Sequence, residues 1–405
     1  MLLAAAAGLA CGLALAACGG GAANGVSSTG AGGGTGPART TTGSGGASST
    51  LPFPEFATKN TTRVASSDPA AVAGAVALAV FPSALPGTHP TAVTLAPLRS
   101  WQEALAATSL MAPPFRAPVL LSDSSRLPGV SERALGALAP TGSAAAGGAQ
   151  LIAVGNVSAP SGYSVTRLAG SDAYAVAASI DRFEIARRGT ASHAVIVASV
   201  GQAPYAMPAA GLAAESGVPI LFVNSSGVPA ATSQALALHH HPHIYVLGPA
   251  GVVPDTVLAA LGAYGTVTRV GADTPAANSV LLAEYRDPPC AYGQACVQIP
   301  GSFGWAIRSP GHGYVLIDQS SPLDAAAASA LSASGSYGPQ LLMDNPNTLP
   351  ASVLNYLVNY STPGYAQQGP TSAVYNHAWL IGTTGQISLA VQAQVDSLLE
   401  AVAQK

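Results

Sequence analysis

Three stretches of this chain repeat one phrase: TRVASSDPAAVA (62–73), TRLAGSDAYAVA (166–177) and TRVGADTPAANS (268–279). Each begins with Thr-Arg and reaches an aspartate a few residues later; the aspartates are Asp68, Asp172 and Asp273. The arginines Arg63, Arg167 and Arg269 lie about a hundred residues apart, a spacing typical of a small domain and too long for a solenoid repeat. The sequence therefore predicts one module used three times.

The middle copy shows the predicted secondary structure most plainly. Its predicted strands are 193–199, 218–224, 244–248 and 266–270, and its predicted helices are 204–216, 229–238 and 254–261. Continuous apolar strands that alternate with helices are typical of a parallel sheet covered on both faces and joined by right-handed crossovers. The outer copies follow the same order, so the predicted fold class is α/β with three tandem parallel-sheet modules.

The N-terminus has the features of a secretion signal followed by a spacer. Residues 1–17 are apolar and end in Leu-Ala-Ala before Cys18, which resembles a bacterial lipoprotein signal and would make Cys18 the lipidated residue. An ordinary signal peptide with an incidental cysteine is the alternative. The Gly-, Ser- and Thr-rich segment that follows predicts a flexible tether. The predicted divisions are the signal at 1–17, the tether at 18–58, and modules at 59–165, 166–267 and 268–405, the last with an insertion at 286–308.

Composition limits the possible partners and the chemistry of the cysteines. Only 8% of the 405 residues are charged and the net charge is −3, so the chain has no basic field for nucleic acid. In an oxidising space outside the cytoplasm, the short spacing of Cys290 and Cys296 within the insertion favours a disulfide. A redox or metal role for this pair is the alternative, although their spacing is not C-x-x-C and no histidine lies between them.

The repeated phrase, a P-x-L-L strand and a closing hydrophobic-Gly strand resemble the cell wall-binding repeat 2 family. The P-x-L-L motif corresponds to Pro118 to Leu121, Pro219 to Phe222 and Pro339 to Leu342. In the middle copy Leu221 is the first leucine of the motif and Phe222 replaces the second. The resemblance covers about residues 60–400. It implies three Rossmann-like or Toprim-like modules around a pseudo-threefold axis, and non-covalent binding of anionic polymers of the cell wall.

The match to the family is incomplete at two motifs. The family's second arginine is missing, since Pro69, Ala173 and Thr274 stand in its place. Its D-A-L helix start is kept in part at Glu103 and Asp324 and is replaced by Tyr205 in the middle copy. Both losses remove polar or positive groups that the family uses. They favour the alternative that this chain has kept the fold but lost polymer binding.

The candidate ligand-binding residues belong to three sets. The repeat arginines Arg63, Arg167 and Arg269 can bind phosphate or carboxylate groups through the guanidinium fork, or can pair with their own aspartates or with another module. The P-x-L-L set contributes Pro118, Leu121, Pro219, Leu221, Pro339 and Leu342. The third set, Asp123, Asn224 and Asn345, follows the P-x-L-L strands, where parallel sheets bind ligands; helix capping is the alternative.

No catalytic residue, metal site or cofactor is predicted. The chain contains no G-x-S-x-G elbow, H-E-x-x-H helix or Walker loop. The histidine tract at 239–243 precedes a predicted strand and occurs in one copy only, so it is interpreted as a loop with incidental metal affinity at the amino edge of the sheet. A zinc site built from these histidines is the alternative.

The sequence therefore predicts a non-enzymatic envelope lipoprotein outside the cytoplasm, attached to the membrane through Cys18 and facing the cell wall. Its expected partner is an anionic wall polymer or polysaccharide, with no nucleic acid. A monomer is expected because three internal copies already close the symmetry. The alternatives are an envelope scaffold or small-ligand lipoprotein, and then an envelope hydrolase.

Overall fold

The structure, a computed structural model, describes residues 57–288, 302–305, 312–333, 338–360 and 376–400. The predicted signal peptide, Cys18, most of the predicted tether, and Cys290 and Cys296 lie outside the described residues. None of the helices in the described ranges is both long enough and apolar enough to cross a bilayer.

The described strands form three parallel sheets of four strands each. In chain order they are β1 (Thr61–Val64), β2 (Val93–Pro97), β3 (Val119–Ser122), β4 (Leu151–Val154), β5 (Val165–Leu168), β6 (Ala194–Ser199), β7 (Ile220–Val223), β8 (His243–Leu247), β9 (Thr266–Val270), β10 (His312–Asp318), β11 (Gln340–Met343) and β12 (Asn376–Ile381). The first sheet has the order β3-β2-β4-β5, the second β7-β6-β8-β9 and the third β11-β10-β12-β1. The predicted α/β fold with three parallel-sheet modules is confirmed.

Helices connect the strands on both faces of the sheets. They are α1 (Pro69–Val80), α2 (Trp101–Ala106), α3 (Gly129–Leu138), α4 (Ala173–Arg188), α5 (Ala203–Ala206), α6 (Ala209–Ser216), α7 (Ala230–Ala237), α8 (Asp255–Leu261), α9 (Pro275–Glu284), α10 (Pro322–Ser332), α11 (Ala351–Tyr360) and α12 (Leu389–Leu398), with short 3-10 turns at 107–111 and 144–146. The predicted helix at 204–216 is two helices, α5 and α6, separated at Met207 and Pro208. Proline at the junction has no N–H for a continuous helical ladder, which explains the break.

Each Thr-Arg strand belongs to the sheet of the preceding copy, not to the copy that it opens. β5 pairs with β4 and β9 with β8, so the sheets extend past the predicted module boundaries at 165 and 267. The first of these strands, β1, has no preceding copy and instead pairs with β12 at the other end of the chain, with Arg63 beside Leu380. Each sheet therefore takes its fourth strand from the next copy of the phrase, and β1 closes this exchange into a ring of three copies.

The segment before β1 is also fixed to the last helix. Thr58, at the end of the predicted tether, donates its hydroxyl to Oδ1 of Asp396 at 2.6 Å, and the backbone N–H of Asn60 donates to the same oxygen at 2.7 Å. Lys59 forms an ion pair with Glu400. The folded body thus begins at or before Thr58.

Alanine-rich helices fill the centre between the sheets. α10 packs against α1 and α6, and α6 packs against the 3-10 turn at 107–111, so the equivalent helices of the three copies contact one another. Gly211 on α6 lies so close to α10 that an added Cβ would be 2.7 Å from Oγ of Ser332. Small side chains are needed here because helices approach more closely than larger residues allow, which gives the alanine-rich composition a structural reason.

One hydrophobic core runs through all three modules. Its buried residues include Leu121 of β3, Ile196 of β6 and Ile317 of β10, one from each sheet. Two smaller clusters cover the outer faces of the third and first sheets. The three modules therefore share one core and are not separate domains joined by linkers.

Candidate functional site: the carboxyl edges of the sheets

Arg63 is enclosed within the third sheet and is 0% exposed. Its Nη1 donates to the carbonyl oxygens of Gly382 and Thr383 at 3.0 and 3.1 Å, and its Nε donates to Oε1 of Gln392 at 3.1 Å. Burial lowers the pKa of the guanidinium. Arg63 thus fastens β1 to the turn after β12 and to α12, and does not face a ligand.

The other two repeat arginines bind the equivalent turns of their sheets. Nη1 of Arg269 donates to the carbonyl oxygen of Gly248 at 2.9 Å, and Nη2 forms an ion pair with Asp255 at 2.7 Å. Nη1 of Arg167 donates to the carbonyl oxygen of Val157 at 3.2 Å, and its side chain is exposed. All three arginines therefore share a structural role, joining the fourth strand to the turn after the third.

The repeat aspartates do not pair with these arginines. Asp68 caps α1 by accepting from the N–H of Ala70 at 3.0 Å, and Asp172 caps α4 by accepting from that of Ala175 at 2.9 Å. In the third phrase Thr274, one residue after Asp273, is the cap. Arginine and aspartate recur together because the arginine anchors a strand and the aspartate or its neighbour caps a helix. In the described contacts, no repeat arginine pairs with the aspartate of its own phrase.

Each repeat aspartate instead lies beside the first helix of the neighbouring module. The facing pairs are Glu103 with Asp172, Tyr205 with Asp273, and Asp324 with Asp68. In the middle pair, the Tyr205 hydroxyl donates to the backbone oxygen of Asp273 at 2.7 Å. The residues at the D-A-L position therefore lie at the joints between modules.

Asp324 is the most deeply buried of these joint residues, at 3% exposed. Its Oδ1 has no hydrogen-bond partner among the described residues. Burial raises its pKa to about 7, and the nearby charges of Asp318 and Asp68 act in the same direction. Burial also raises the pKa of Glu103, which is less enclosed than Asp324.

The P-x-L-L residues form core and do not reach a ligand surface. Leu121, Leu221 and Leu342 are all fully buried. The prolines precede edge strands, and their carbonyl oxygens accept from the neighbouring central strand, as Pro118 does from Thr94 at 2.9 Å. Proline is tolerated there because an edge strand has no second partner for an N–H group. The set Pro118, Leu121, Pro219, Leu221, Pro339 and Leu342 therefore has a packing role in this structure.

Polar turns follow the three edge strands at the carboxyl edges of the sheets. Asp123 accepts the guanidinium fork of Arg99, with Nε and Nη2 at 3.3 and 3.2 Å from the two carboxylate oxygens, and this pairing lowers the pKa of Asp123. Asn224 accepts from the N–H groups of Ser226 and Gly227. Asn345 accepts from the N–H of Asn347 at 2.8 Å. These side chains stabilise turns, and Asn345 is exposed to solvent.

The histidine tract lies at the amino edge of the second sheet, and its members differ in burial. His239 is buried, with Nε2 2.9 Å from Oδ2 of Asp181 and Nδ1 2.9 Å from the carbonyl oxygen of Ser192. Burial is the largest single influence on the pKa of His239 and lowers it, but the hydrogen bond and charge of Asp181, the hydrogen bond to Ser192 and the charge of Glu184 together raise it above the usual value. His240 and His241 are exposed. Sequence reasoning missed this buried pair because Asp181 lies far from the tract along the chain.

Among the described residues, no group of three or more His, Cys, Asp or Glu side chains is arranged to hold a metal ion. The polar groups that converge at the carboxyl edges are hydroxyl, amide, carboxylate and guanidinium groups on turns. Such groups can bind sugar hydroxyls or acidic groups without any covalent chemistry.

The fold and part of the sequence match known proteins. Residues 167–258 match the model of cell wall binding domain 2 (CWB2). No curated protein matches the chain. Among solved structures, Cwp6 from Clostridium difficile superposes with a TM-score of 0.64 at 15% identity, over 85% of this chain and 49% of its own length. Cwp8 from the same organism gives 0.62 at 17% identity, over 85% and 52%.

The chain thus spans about half the length of these two structures, and at such low identity the likeness concerns the fold. The family match covers the middle copy, from its repeat arginine to the helix α8. The resemblance to the cell wall-binding repeat 2 family is therefore confirmed on residues 167–258, within a body that has the fold of Cwp6 and Cwp8.

Proposed function

We propose that this protein is a non-enzymatic cell-envelope protein that binds an anionic polymer or polysaccharide of the cell wall. The observation that carries the proposal is the match of residues 167–258 to cell wall binding domain 2, in a body that repeats the same sheet three times. Repeated modules in one rigid body add avidity, because a second contact on the same polymer is intramolecular.

The carboxyl edges are the proposed contact surface. The turns at Asp123, Asn224 and Asn345 offer carboxylate, amide and hydroxyl groups to solvent, and an exposed guanidinium lies nearby in the first sheet. Many weak polar contacts of this kind suit a long, hydrated polymer better than a small molecule enclosed in a cavity.

Cys18 is proposed as a lipid anchor at the outer face of the cell membrane. The spacer after it, at about 5–6 Å times the square root of its length, would hold the body roughly 30 Å from the membrane. Replacement of Cys18 by Ser should move the protein from the detergent phase to the aqueous phase in a detergent-partition assay. Unchanged partition of Cys18→Ser would refute the anchor.

Wall binding is tested by co-sedimentation of the full chain, in mild detergent, with purified wall sacculi. We expect binding that falls when the anionic polymers are extracted and when salt is raised, because salt screens exposed charge pairs. A chain that stays in the supernatant with intact sacculi at low salt would refute the proposal.

The alternative is an envelope scaffold or small-ligand lipoprotein that has kept the fold and lost polymer binding. The specific observation in its favour is that two of the three repeat arginines are occupied: Arg63 is buried and Arg269 is paired with Asp255. If this alternative is correct, little protein should sediment with intact sacculi, and removal of the anionic polymers should not change that amount.

A further inference from the structure

The three repeat arginines have three different degrees of access to solvent. Arg63 is fully buried, and the side chain of Arg269 is 20% exposed and ion-paired with Asp255. Arg167 is exposed, its one described hydrogen bond goes to a carbonyl oxygen, and no carboxylate pairs with it among the described residues. Only the first sheet therefore presents its repeat arginine to an external anion.

Two further arginines lie on the same edge of the first sheet. Arg99 follows β2 and its side chain is 81% exposed, although its fork is engaged by Asp123. Arg126 is exposed in the turn after β3, where its carbonyl oxygen accepts from the N–H of Asp123. This turn also contacts the segment that Arg167 binds. The N–H of Ser158 donates to the carbonyl oxygen of Asp123 at 2.8 Å, and the preceding residue, Val157, accepts from Arg167.

The equivalent positions of the other sheets carry no positive charge. Counted from the start of the following helix, Arg99 corresponds to Gly201 and Ser320, and Arg126 corresponds to Gly227 and Thr348. The position of Asp123, directly after the edge strand, corresponds to Asn224 and Asp344. The second edge is thus neutral at these positions, and the third is acidic.

The described part of the third sheet carries one arginine, Arg63 on β1, and it is fully buried. No Lys or Arg occurs from residue 312 to residue 400, whereas Asp318 and Asp344 lie at the carboxyl edge. A polyanion approaching this edge meets like charge. The first edge also carries acids, since Asp123 is paired with Arg99, Asp172 caps α4 and the Glu103 carboxylate lies beside Gly155, so the two edges differ in their exposed arginines.

We propose that this chain contacts its anionic polymer asymmetrically, through Arg99, Arg126 and Arg167 at the carboxyl edge of the first sheet, and that the third sheet makes no anionic contact. The inference rests on the proposed function and assigns its binding surface. The recognised chemistry is a phosphodiester or carboxylate repeat, which matches the planar guanidinium fork. Ser124 and Ser125 are exposed between Asp123 and Arg126. The Ser124 hydroxyl donates to Oδ1 of Asp123 at 3.2 Å and can still accept from a sugar hydroxyl.

The test compares two triple variants of the full chain in sedimentation with purified sacculi at two salt concentrations. The edge variant is Arg99→Gln with Arg126→Gln and Arg167→Gln. The control variant, Arg133→Gln with Arg182→Gln and Arg187→Gln, removes the same charge from exposed positions on α3 and α4. We expect the edge variant to weaken binding by about tenfold or more and to flatten its salt dependence, and the control to stay close to wild type.

Equal losses in the two triple variants, or wild-type binding by the edge variant, would overturn the asymmetric surface while leaving wall binding intact. Failure of the wild-type chain to bind would instead refute the proposed function and this inference with it. Circular dichroism of each variant establishes that a loss of binding is not a loss of fold.

A second pair of variants tests the surface by a gain of binding. Asp123→Asn frees the fork of Arg99, and Asp344→Asn removes the same charge at the equivalent position of the third sheet. We expect Asp123→Asn to strengthen sedimentation with sacculi by a few-fold, and Asp344→Asn to leave it unchanged. An equal gain in both would mean that only net charge matters, and would overturn the assignment to the first sheet.

Discussion

Asp324 is a buried acid whose surroundings favour the neutral form. It lies where the third module meets the first, 3% exposed, with the carboxylates of Asp318 and Asp68 nearby. Burial disfavours the charged form and outweighs the hydrogen bond from Ser321 that favours it, so the pKa is raised to about 7. A single side chain thus makes the closing joint of the ring sensitive to pH.

Replacing Asp324 with Asn should therefore remove a pH dependence of stability. In the unfolded chain the acid ionises near pH 4, whereas in the folded chain it holds its proton up to about pH 7, so the wild type loses stability as pH rises between these values. We expect Asp324→Asn to match the wild type near pH 4 and to exceed it in unfolding free energy at pH 8 by on the order of 4 kcal/mol. Urea unfolding across this range measures the difference.

Glu103→Gln is the matched control, because Glu103 occupies the equivalent joint and is less enclosed. Its effect should have the same sign and a smaller size. If Asp324→Asn leaves the slope of stability against pH unchanged, the carboxyl group of Asp324 is charged in the folded protein. That result would contradict the burial of this side chain between the modules.

At the scale of elements, the contact of α6 with α10 depends on Gly211. An alanine there would place its Cβ 2.7 Å from Oγ of Ser332 and 3.1 Å from Cγ of Gln340. Forcing a methyl group into a packed interface typically costs about 1–3 kcal/mol. We expect that loss of unfolding free energy for Gly211→Ala, measured by urea unfolding.

Combining Gly211→Ala with Ser332→Ala removes Oγ of Ser332, the nearest of the atoms that the added methyl group would meet, and should recover part of the lost stability. Residues in direct contact are expected to be non-additive in this way. Strict additivity of the two changes would mean that the helices do not approach each other at this point.

The strand β1 is the element that closes the ring. It supplies the edge of the third sheet, and Arg63 fastens it to Gly382, Thr383 and Gln392. A chain that begins at residue 66 should lose protection from hydrogen exchange in β12 and α12, while β6 and β8 of the second sheet keep theirs. A chain that begins at residue 57 serves as the control and should exchange like the full chain; equal protection in both would show that β1 is dispensable.

The sequence predicted the elements of this fold better than their partners. The apolar runs predicted at 193–199 and 244–248 form β6 (Ala194–Ser199) and β8 (His243–Leu247), because continuous apolar residues suit a sheet covered on both faces. Nothing near Thr61–Val64 indicates that its partner lies more than three hundred residues away, since pairing is decided by the closure of the whole chain. The same limit applies to Arg63, Arg167 and Arg269, which share the Thr-Arg start of the phrase and yet are buried, exposed and ion-paired respectively.

At the scale of the molecule, the shared core predicts that the three modules unfold together. Leu121, Ile196 and Ile317 belong to one buried cluster, and β1 joins the first copy of the phrase to the last sheet. Unfolding of one module would expose the apolar face of its neighbours and open the ring, so partly unfolded forms are disfavoured. A body of this size often unfolds in stages when its domains are independent, and a single transition would distinguish a shared core from three linked domains.

Tryptophans in different sheets can report on this directly. Trp101 begins α2 beside the first sheet and packs edge-on against Phe222 of the second at 6.0 Å between ring centroids, whereas Trp379 lies on β12 of the third sheet. One variant, Trp305→Phe with Trp379→Phe, keeps Trp101, and another, Trp101→Phe with Trp305→Phe, keeps Trp379. We expect fluorescence and circular dichroism of each variant to give one coincident urea midpoint. An earlier midpoint at Trp379 than in the circular dichroism of the same variant would show that the third sheet unfolds alone and that the ring closure contributes little to its stability.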